Sequence, residues 1–381
     1  MPRIYLDFNA STPIASEVAE VVGPFLTSEY VGYGNPSSAH WAGEPARRAV
    51  EDARADVAAL IEASPEEVVF TSGGTEANNA ALKGVFFKSG ARTHSPHIVT
   101  TAIEHPAVLE PCRFLQRLGA QVTLLPVDST GLVDPEHVRD AITPDTVLVS
   151  VMHANNEVGT VEPITEIAAI TRDRGIPLHC DAAQSVGKIP TRVQELGVDL
   201  LSIAGHKLYA PKGVGALYVR SGCELEPFMH GAGHERGRRA GTESAWLAVG
   251  LGAACRLAKE RPCTDRMASL TKYFRDELTQ LFGSRVVFNG HAEDCLPNTL
   301  NVSFPGHLGR DVLAGLNGVA ASTGSACHTG SPSMSPVLEA MGVDEAVGLG
   351  AVRFSLGRQT ERAEIEMVIE QLGALNLFPG E

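Results

Sequence analysis

The sequence predicts an α/β protein with two parts: a large, mostly parallel sheet covered by helices on both faces, and a smaller α+β unit. Three observations lead there. Between residues 67 and 219, short near-continuous apolar runs alternate with amphipathic helical stretches, as expected of strands buried on both faces. After a long helical stretch at 242–260 the alternation stops, and strands and helices follow in a looser order. The chain has 381 residues and is 44% hydrophobic, which is ample for one large core and a second, smaller one. The expected division is a large unit at 15–260 and a small unit made of 1–14 and 261–381.

The elements are read in chain order. Residues 4–14 form a turn-rich lead-in expected to pack with the small unit. Gly32, Gly34, Asn35 and Pro36 mark a loop. Residues 44–61 carry helical spacing, with Ala49, Val50, Ala53, Val57 and Leu60 on one face. A strand at 67–71 turns through Ser72-Gly73-Gly74-Thr75 into a helix. Strands at 97–101, 121–125, 146–151, 177–180, 200–204 and 215–219 then alternate with helices at 106–118, 134–142 and 163–174. Beyond residue 260 come a helix at 263–280, strands at 285–289, 299–304, 319–321 and 352–355, and helices near Gly309, Ser335 and Glu361.

Composition excludes several classes. A formal net charge of −14 disfavours direct contact with nucleic acid or an anionic membrane. No apolar run approaches the ~20 residues of a membrane-spanning helix. The first residues lack the basic and apolar regions of a signal peptide. Seven scattered cysteines without a Cys-x-x-Cys pair point to free thiols in a reducing cytoplasm, with no disulfide framework and no zinc site. His230 and His234 have metal-ligand spacing but lie in a Gly-rich loop, so no metal is expected.

The chemistry gathers at strand ends. Ser72-Gly73-Gly74-Thr75 is either a plain helix cap or a cradle whose free N–H groups hold a phosphate. Neither a Walker A loop nor a G-x-G-x-x-G fingerprint is present. His105 follows a strand and precedes Pro106. Asn156 follows the strand at 146–151. Asp181 closes the next strand, as a helix cap or as a partner for a buried cation, and Gln184 lies one turn on. Lys207 ends the apolar run 200–204 within Gly205-His206-Lys207. Taken alone, each has an ordinary reading as a surface or capping residue. Together they share the carboxyl edge of an open sheet, where ligands bind. The set matches the needs of pyridoxal phosphate (PLP). A helix N-terminus suits its phosphate, a ring can stack on its pyridine, and an amide can reach its phenolic oxygen. A carboxylate suits its ring nitrogen, and a lysine can form a Schiff base.

Thr71-Ser72-Gly73-Gly74-Thr75-Glu76, Glu104-His105, Asn155-Asn156-Glu157-Val158-Gly159, Asp181-Ala182-Ala183-Gln184 and Gly205-His206-Lys207 resemble the cysteine desulfurases. These are fold-type-I PLP enzymes of the class V aminotransferase group. The resemblance continues through His234-Glu235-Arg236-Gly237, Gly241-Thr242-Glu243, Ser322-Thr323-Gly324-Ser325-Ala326-Cys327 and Arg353-Phe354-Ser355-Leu356-Gly357-Arg358, and covers nearly the whole chain. It implies that Lys207 carries the cofactor and moves the Cα proton, and that His105 stacks on the ring. Asp181 pairs with the ring nitrogen, and Asn156 and Gln184 orient it. Gly74, Thr75, His206 and the neighbouring subunit's Thr242 hold the phosphate. Asn35 and Arg353 grip the substrate carboxylate. Cys327 is the catalytic persulfide carrier, on the longer type of loop that swings out to an acceptor protein.

The expected activity is conversion of L-cysteine to L-alanine by a homodimer, with sulfur passed to a sulfur-acceptor protein. Acceptors of such enzymes serve iron–sulfur assembly, tRNA thiolation or DNA phosphorothioation. In length and cysteine placement the chain resembles the desulfurase of bacterial DNA phosphorothioation. One position departs from the pattern: Ala204 stands where cysteine desulfurases often have serine. Selenocysteine lyases resemble the chain in this respect, so that activity is one alternative. A non-catalytic sulfur-relay scaffold is another.

Overall fold

A computed structural model describes residues 3–27, 31–89, 95–323 and 333–378. The chain opens with β1 (Ile4–Tyr5). A seven-stranded sheet follows: β2 (Val68–Thr71), β3 (His97–Thr101), β4 (Gln121–Leu125), β5 (Thr146–Ser150), β6 (Leu178–Asp181), β7 (Leu200–Ala204) and β8 (Gly215–Val219). Its order is β2-β8-β7-β6-β5-β3-β4. Strands β7, β6, β5, β3 and β4 pair in parallel, while β8 runs antiparallel to both β7 and β2.

The continuous apolar runs have a direct cause. Alternate residues of one strand enter different cores. Val99, Val149 and Leu201 pack with the helices Glu44–Ile61 and Ala245–Glu260. Their neighbours Ile98, Leu148 and Leu200 pack on the opposite face with Gly74–Ser89 and Pro106–Arg117. Every position is therefore buried except on the edge strand β4, where Leu124 is half exposed. The helices on the first face touch closely: a Cβ on Gly252 would lie 2.7 Å from the Ala53 Cα.

The remaining strands are β9 (Val287–Asn289), β10 (Thr299–Ser303), β11 (Val319–Ala320) and β12 (Ala351–Ser355). β12, β10 and β9 form an antiparallel sheet in that order. Phe274, Phe304, Phe354 and Ile365 build its core with the helices Thr264–Phe282 and Arg362–Ala374. β1 pairs in parallel with β11, and Ile4 and Leu6 enter this same core.

Two details differ from the sequence reading and bear on the site. The helix expected from residue 242 begins at Ala245, because Ser244 is the capping residue and Thr242 belongs to the preceding loop. The helix after β2 begins at Gly74, inside the expected turn at 72–75 rather than after it. The order of the sheet also reverses between β3 and β5, which opens a crevice outside their carboxyl ends.

Candidate active site

The loops leaving β2, β3, β5, β6 and β7 converge on a cavity of about 580 Å³ at that crevice. Its lining includes Gly74, Thr75, His105, Asn156, Asp181, Gln184, His206, Lys207 and Arg353. A groove of about 700 Å³ beside Arg172, Asp199 and Arg220 lies at the other edge of the sheet, away from these groups.

The cradle forms where β2 gives way to the 16-residue helix Gly74–Ser89. Gly73 turns the chain at φ +148°, and a Cβ on Gly74 would stand 3.1 Å from the Ala204 methyl, so the backbone closes on the cavity floor. Among the described residues, the amides of Gly74, Thr75 and Glu76 have no backbone acceptor, as expected of a helix start. The Glu76 carboxylate accepts the Ser72 N–H (2.8 Å) and a paired contact from Arg239 (2.9 and 3.3 Å), which holds its pKa low against burial and ties the loop before Thr242 to the cradle.

His105 caps the helix Pro106–Arg117: its Nδ1 accepts the Ala107 N–H at 3.0 Å. The neutral ring therefore carries its proton on Nε2. Burial lowers its pKa, helped by Lys207 and opposed by Asp181. After β5, Asn155 shapes the turn by accepting the N–H groups of Glu157 (2.8 Å) and Val158 (3.1 Å), which leaves Asn156 on the cavity.

The Asp181 carboxylate, at the end of β6, accepts from the Asn78 side chain (2.6 Å) and the Ala183 N–H (3.0 Å). It thus caps the turn that follows β6 and stands as a buried carboxylate on the cavity wall; among the described residues its hydrogen-bond partners are an amide side chain and a backbone N–H, not a cation. Lys207 Nζ donates to the carbonyls of Asn9 and Ala10, the latter at 2.8 Å. Burial is the main cause that lowers its pKa to about 8, and Arg353 adds to it. His206, beside it, is lowered by burial and the neighbouring cations to about 4. Arg353 is 5% exposed and donates to the Asn156 carbonyl (3.0 Å) and Asp7 (2.7 Å). Its Nε is buried without a partner among the described residues.

Two expected residues lie off the cavity, and a third is not among the described residues. Asn35 is exposed, accepts the Ser37 N–H (2.9 Å) and does not line the cavity. Thr242 is also exposed and off the cavity of its own chain. Cys327 falls outside the described residues. The chain heading toward it passes Ser322, which lines the cavity and exchanges backbone hydrogen bonds with Arg353 (3.2 and 2.6 Å). Of the other cysteines, Cys112 and Cys180 are buried with thiols pushed up, Cys112 to about 12, and Cys223 is pushed up to about 11.

Sequence reasoning missed Asn9 and Asn78. Asn9 comes from the lead-in and offers its carbonyl to Lys207 and Gln184. Nothing in the turn-rich lead-in distinguishes it by sequence. Asn78 lies one helical turn beyond Gly74, a position that faces the cavity once the cradle is placed.

These groups fit PLP. The amides at the helix start suit a phosphate, the wall carboxylate suits a protonated ring nitrogen, and a lysine with depressed pKa suits a carbonyl. Among the described residues no group of three or more His, Cys, Asp or Glu side chains is placed to hold a metal ion.

Comparison with known proteins agrees. The model of the family "Aminotransferase class-V" matches residues 4–368. A cysteine desulfurase IscS of Dictyoglomus turgidum is 45% identical, over 100% of this chain and 98% of its own length. One from Vibrio campbellii is 46% identical, over 97% and 91%. Among solved structures, a NifS-like protein superposes with a TM-score of 0.89 at 36% identity, covering 98% of this chain and 99% of its own. SspA in complex with cysteine gives 0.83 at 38%, covering 93% and 98%. DndA from Streptomyces lividans gives 0.74 at 37%, covering 91% and 97%. The chain belongs to the class V aminotransferase family and, within it, to the cysteine desulfurases, which are pyridoxal phosphate enzymes.

Proposed function

We propose that this protein removes sulfur from L-cysteine, releasing L-alanine and leaving a persulfide on Cys327. The observation that carries the reading is the meeting of Lys207, Asp181, His105 and a free helix N-terminus in one cavity, beside Arg353 and the start of the segment that bears Cys327.

Each residue has a task. Lys207 carries the cofactor and, once released, takes the substrate's Cα proton on Nζ and returns it to carbon. The depressed pKa leaves part of the amine neutral near pH 7. Asp181, held by Asn78 and the Ala183 amide, keeps a proton on the cofactor's ring nitrogen. The bound cofactor supplies the electron sink for charge that develops at Cα. His105, fixed by its cap bond, presents a neutral ring to the cofactor face. The amides of Gly74 and Thr75, with His206, bind phosphate. Arg353, on the cavity wall, binds the substrate carboxylate. The Cys327 thiolate attacks the substrate sulfur. The new S–S bond forms as the C–S bond breaks, carbon keeps the electron pair, and the carbon is then protonated to give alanine.

The site is completed in a homodimer, where Asn35 and Thr242, exposed in one subunit, reach the other's cavity. The chain divides into a unit at 15–260 and a unit of 1–14 with 261–381 that delivers Cys327. A cytoplasmic site of action fits the free thiols, and among the described residues no helix is long and apolar enough to cross a membrane. The sulfur acceptor is a protein. Likeness to both IscS and DndA leads us to place it in iron–sulfur assembly or DNA phosphorothioation.

The test is alanine production by the PLP-loaded protein and its Lys207→Ala and Cys327→Ser variants, with cysteine and selenocysteine as substrates. The wild type makes alanine from cysteine. Lys207→Ala loses both colour and turnover, and Cys327→Ser keeps colour and loses desulfuration. Alanine from selenocysteine alone would overturn the assignment.

A further inference from the structure

Beside the half-buried Lys207 lies a buried lysine with no part in the chemistry above. Lys188 is 7% exposed, and its Nζ donates to Gln184 Oε1 (2.9 Å) and Asn9 Oδ1 (3.1 Å). Among the described residues it makes no ion pair, although a buried cation normally requires one. Its two acceptors are both neutral amides, and both belong to residues on the cavity wall.

The geometry around Asn9 shows what those bonds do. The Asn9 carbonyl accepts from Lys207 Nζ and from Gln184 Nε2 (2.9 Å). Its side-chain oxygen takes Lys188 and Asn298 (3.0 Å), and its amide donates to the Asn156 carbonyl (3.2 Å) and Thr299 (2.8 Å). The Gln184 amide has two orientations in principle. With Oε1 held by a lysine, which only donates while it is protonated, Nε2 is the group the amide can present to the cavity. The same lysine holds the Asn9 side chain, whose backbone carbonyl is the resting acceptor of Lys207.

We propose that Lys188 is a positioning residue for the reaction: acting through Gln184 and Asn9, it orients the Gln184 amide toward the cofactor and fixes the acceptor on which Lys207 rests. The inference rests on the PLP reading of this cavity. Burial, with Lys207 and Arg353 nearby, lowers the Lys188 pKa to about 7, and Cys263 opposes the shift. Tyr209 and Arg358 line the small cavity of about 20 Å³ that Lys188 shares with Lys207. Among the described residues, those are the titratable and charged groups that face it, and no carboxylate is among them.

The test is a double-mutant cycle on the PLP-loaded dimer with Lys188→Met and Gln184→Ala. Two quantities are read: the pH midpoint of the bound cofactor's visible absorbance, and the affinity of the apoprotein for PLP. Methionine keeps the stem volume and removes the donor. Lys188→Met is expected to move the midpoint by about half a unit or more and to weaken PLP binding about fivefold or more. Most of both effects should vanish in the Gln184→Ala background, because the two residues act as one unit. An unchanged midpoint, or effects that simply add, overturns the proposal. If Lys188→Met does not fold, Lys188→Gln, a shorter neutral donor, is scored by the same midpoint and the same criterion. A wild-type protein that shows no visible band with PLP rejects the reading of the cavity itself, whereas a normal band that Lys188 variants leave in place rejects only the role of Lys188.

Discussion

Lys207 combines a half-buried position with two carbonyl acceptors and no adjacent carboxylate among its hydrogen-bond partners. With its pKa lowered to about 8, it holds roughly three-hundredfold more neutral amine at pH 7 than a lysine at the ordinary value. Only the neutral amine attacks an aldehyde. Uptake of PLP by the apoprotein should therefore quicken about tenfold per pH unit below 8 and level off above it. Stopped-flow absorbance between pH 6 and about 10.5 checks this, and a rate still climbing steeply at the top of that range contradicts it. Lys207 and Asp181 were legible as strand-end residues because each follows a short, mostly apolar strand, and such a strand gives the position of its own carboxyl end. Asn9 was not legible. Its contribution is a backbone carbonyl that meets Lys207 across 198 positions of sequence, and no side-chain pattern reports a carbonyl. Lys188 was hidden for a related reason, since its acceptor Asn9 lies 179 positions from it in sequence.

At the scale of elements, the phosphate cradle depends on how closely β2, its turn and the following helix approach β7. Gly74→Ala places a methyl 3.1 Å from the Ala204 methyl. The expected result is about tenfold weaker PLP binding, or about 1.4 kcal/mol, with thermal stability of the apoprotein little changed. Equilibrium titration of the apoprotein reads it. The loop at 234–242 is fastened from below as well. Arg54 makes two bonds to Glu235 (2.7 and 2.9 Å), both side chains are nearly inaccessible, and Glu235 also accepts the Phe70 N–H (2.9 Å). Arg54→Ala leaves that carboxylate buried with only the amide partner, so urea unfolding should show a loss of about 3–5 kcal/mol. A loss under 1 kcal/mol would mean that water replaces the guanidinium. The alternation of strands and helices foretold the sheet because both of its faces are dry. It did not reveal that β8 runs antiparallel, since a strand buried on both faces reads alike in either direction.

For the whole molecule, the two cores meet at the cavity. The sheet edge contributes Lys207 and Asp181, while β12 contributes Arg353, which reaches Asp7 of the lead-in and the Asn156 carbonyl after β5. A second subunit is required if Thr242, exposed and not among the residues lining its own chain's cavity, serves a neighbour. Mixing Lys207→Ala with Thr242→Ala protein decides this. Random reassociation gives mixed dimers with one intact site, so activity should return to about a quarter of wild type. No recovery places Thr242 in its own subunit's chemistry. The proposed division of labour between Lys207 and Cys327 has one direct measurement: peptide mass spectrometry of the PLP-loaded protein after brief exposure to L-cysteine, with alanine counted in the same sample. The account predicts one added sulfur atom on the Cys327 peptide, equal in amount to the first-turnover alanine and absent from Lys207→Ala. Alanine without sulfur on Cys327, or sulfur on another cysteine, contradicts it.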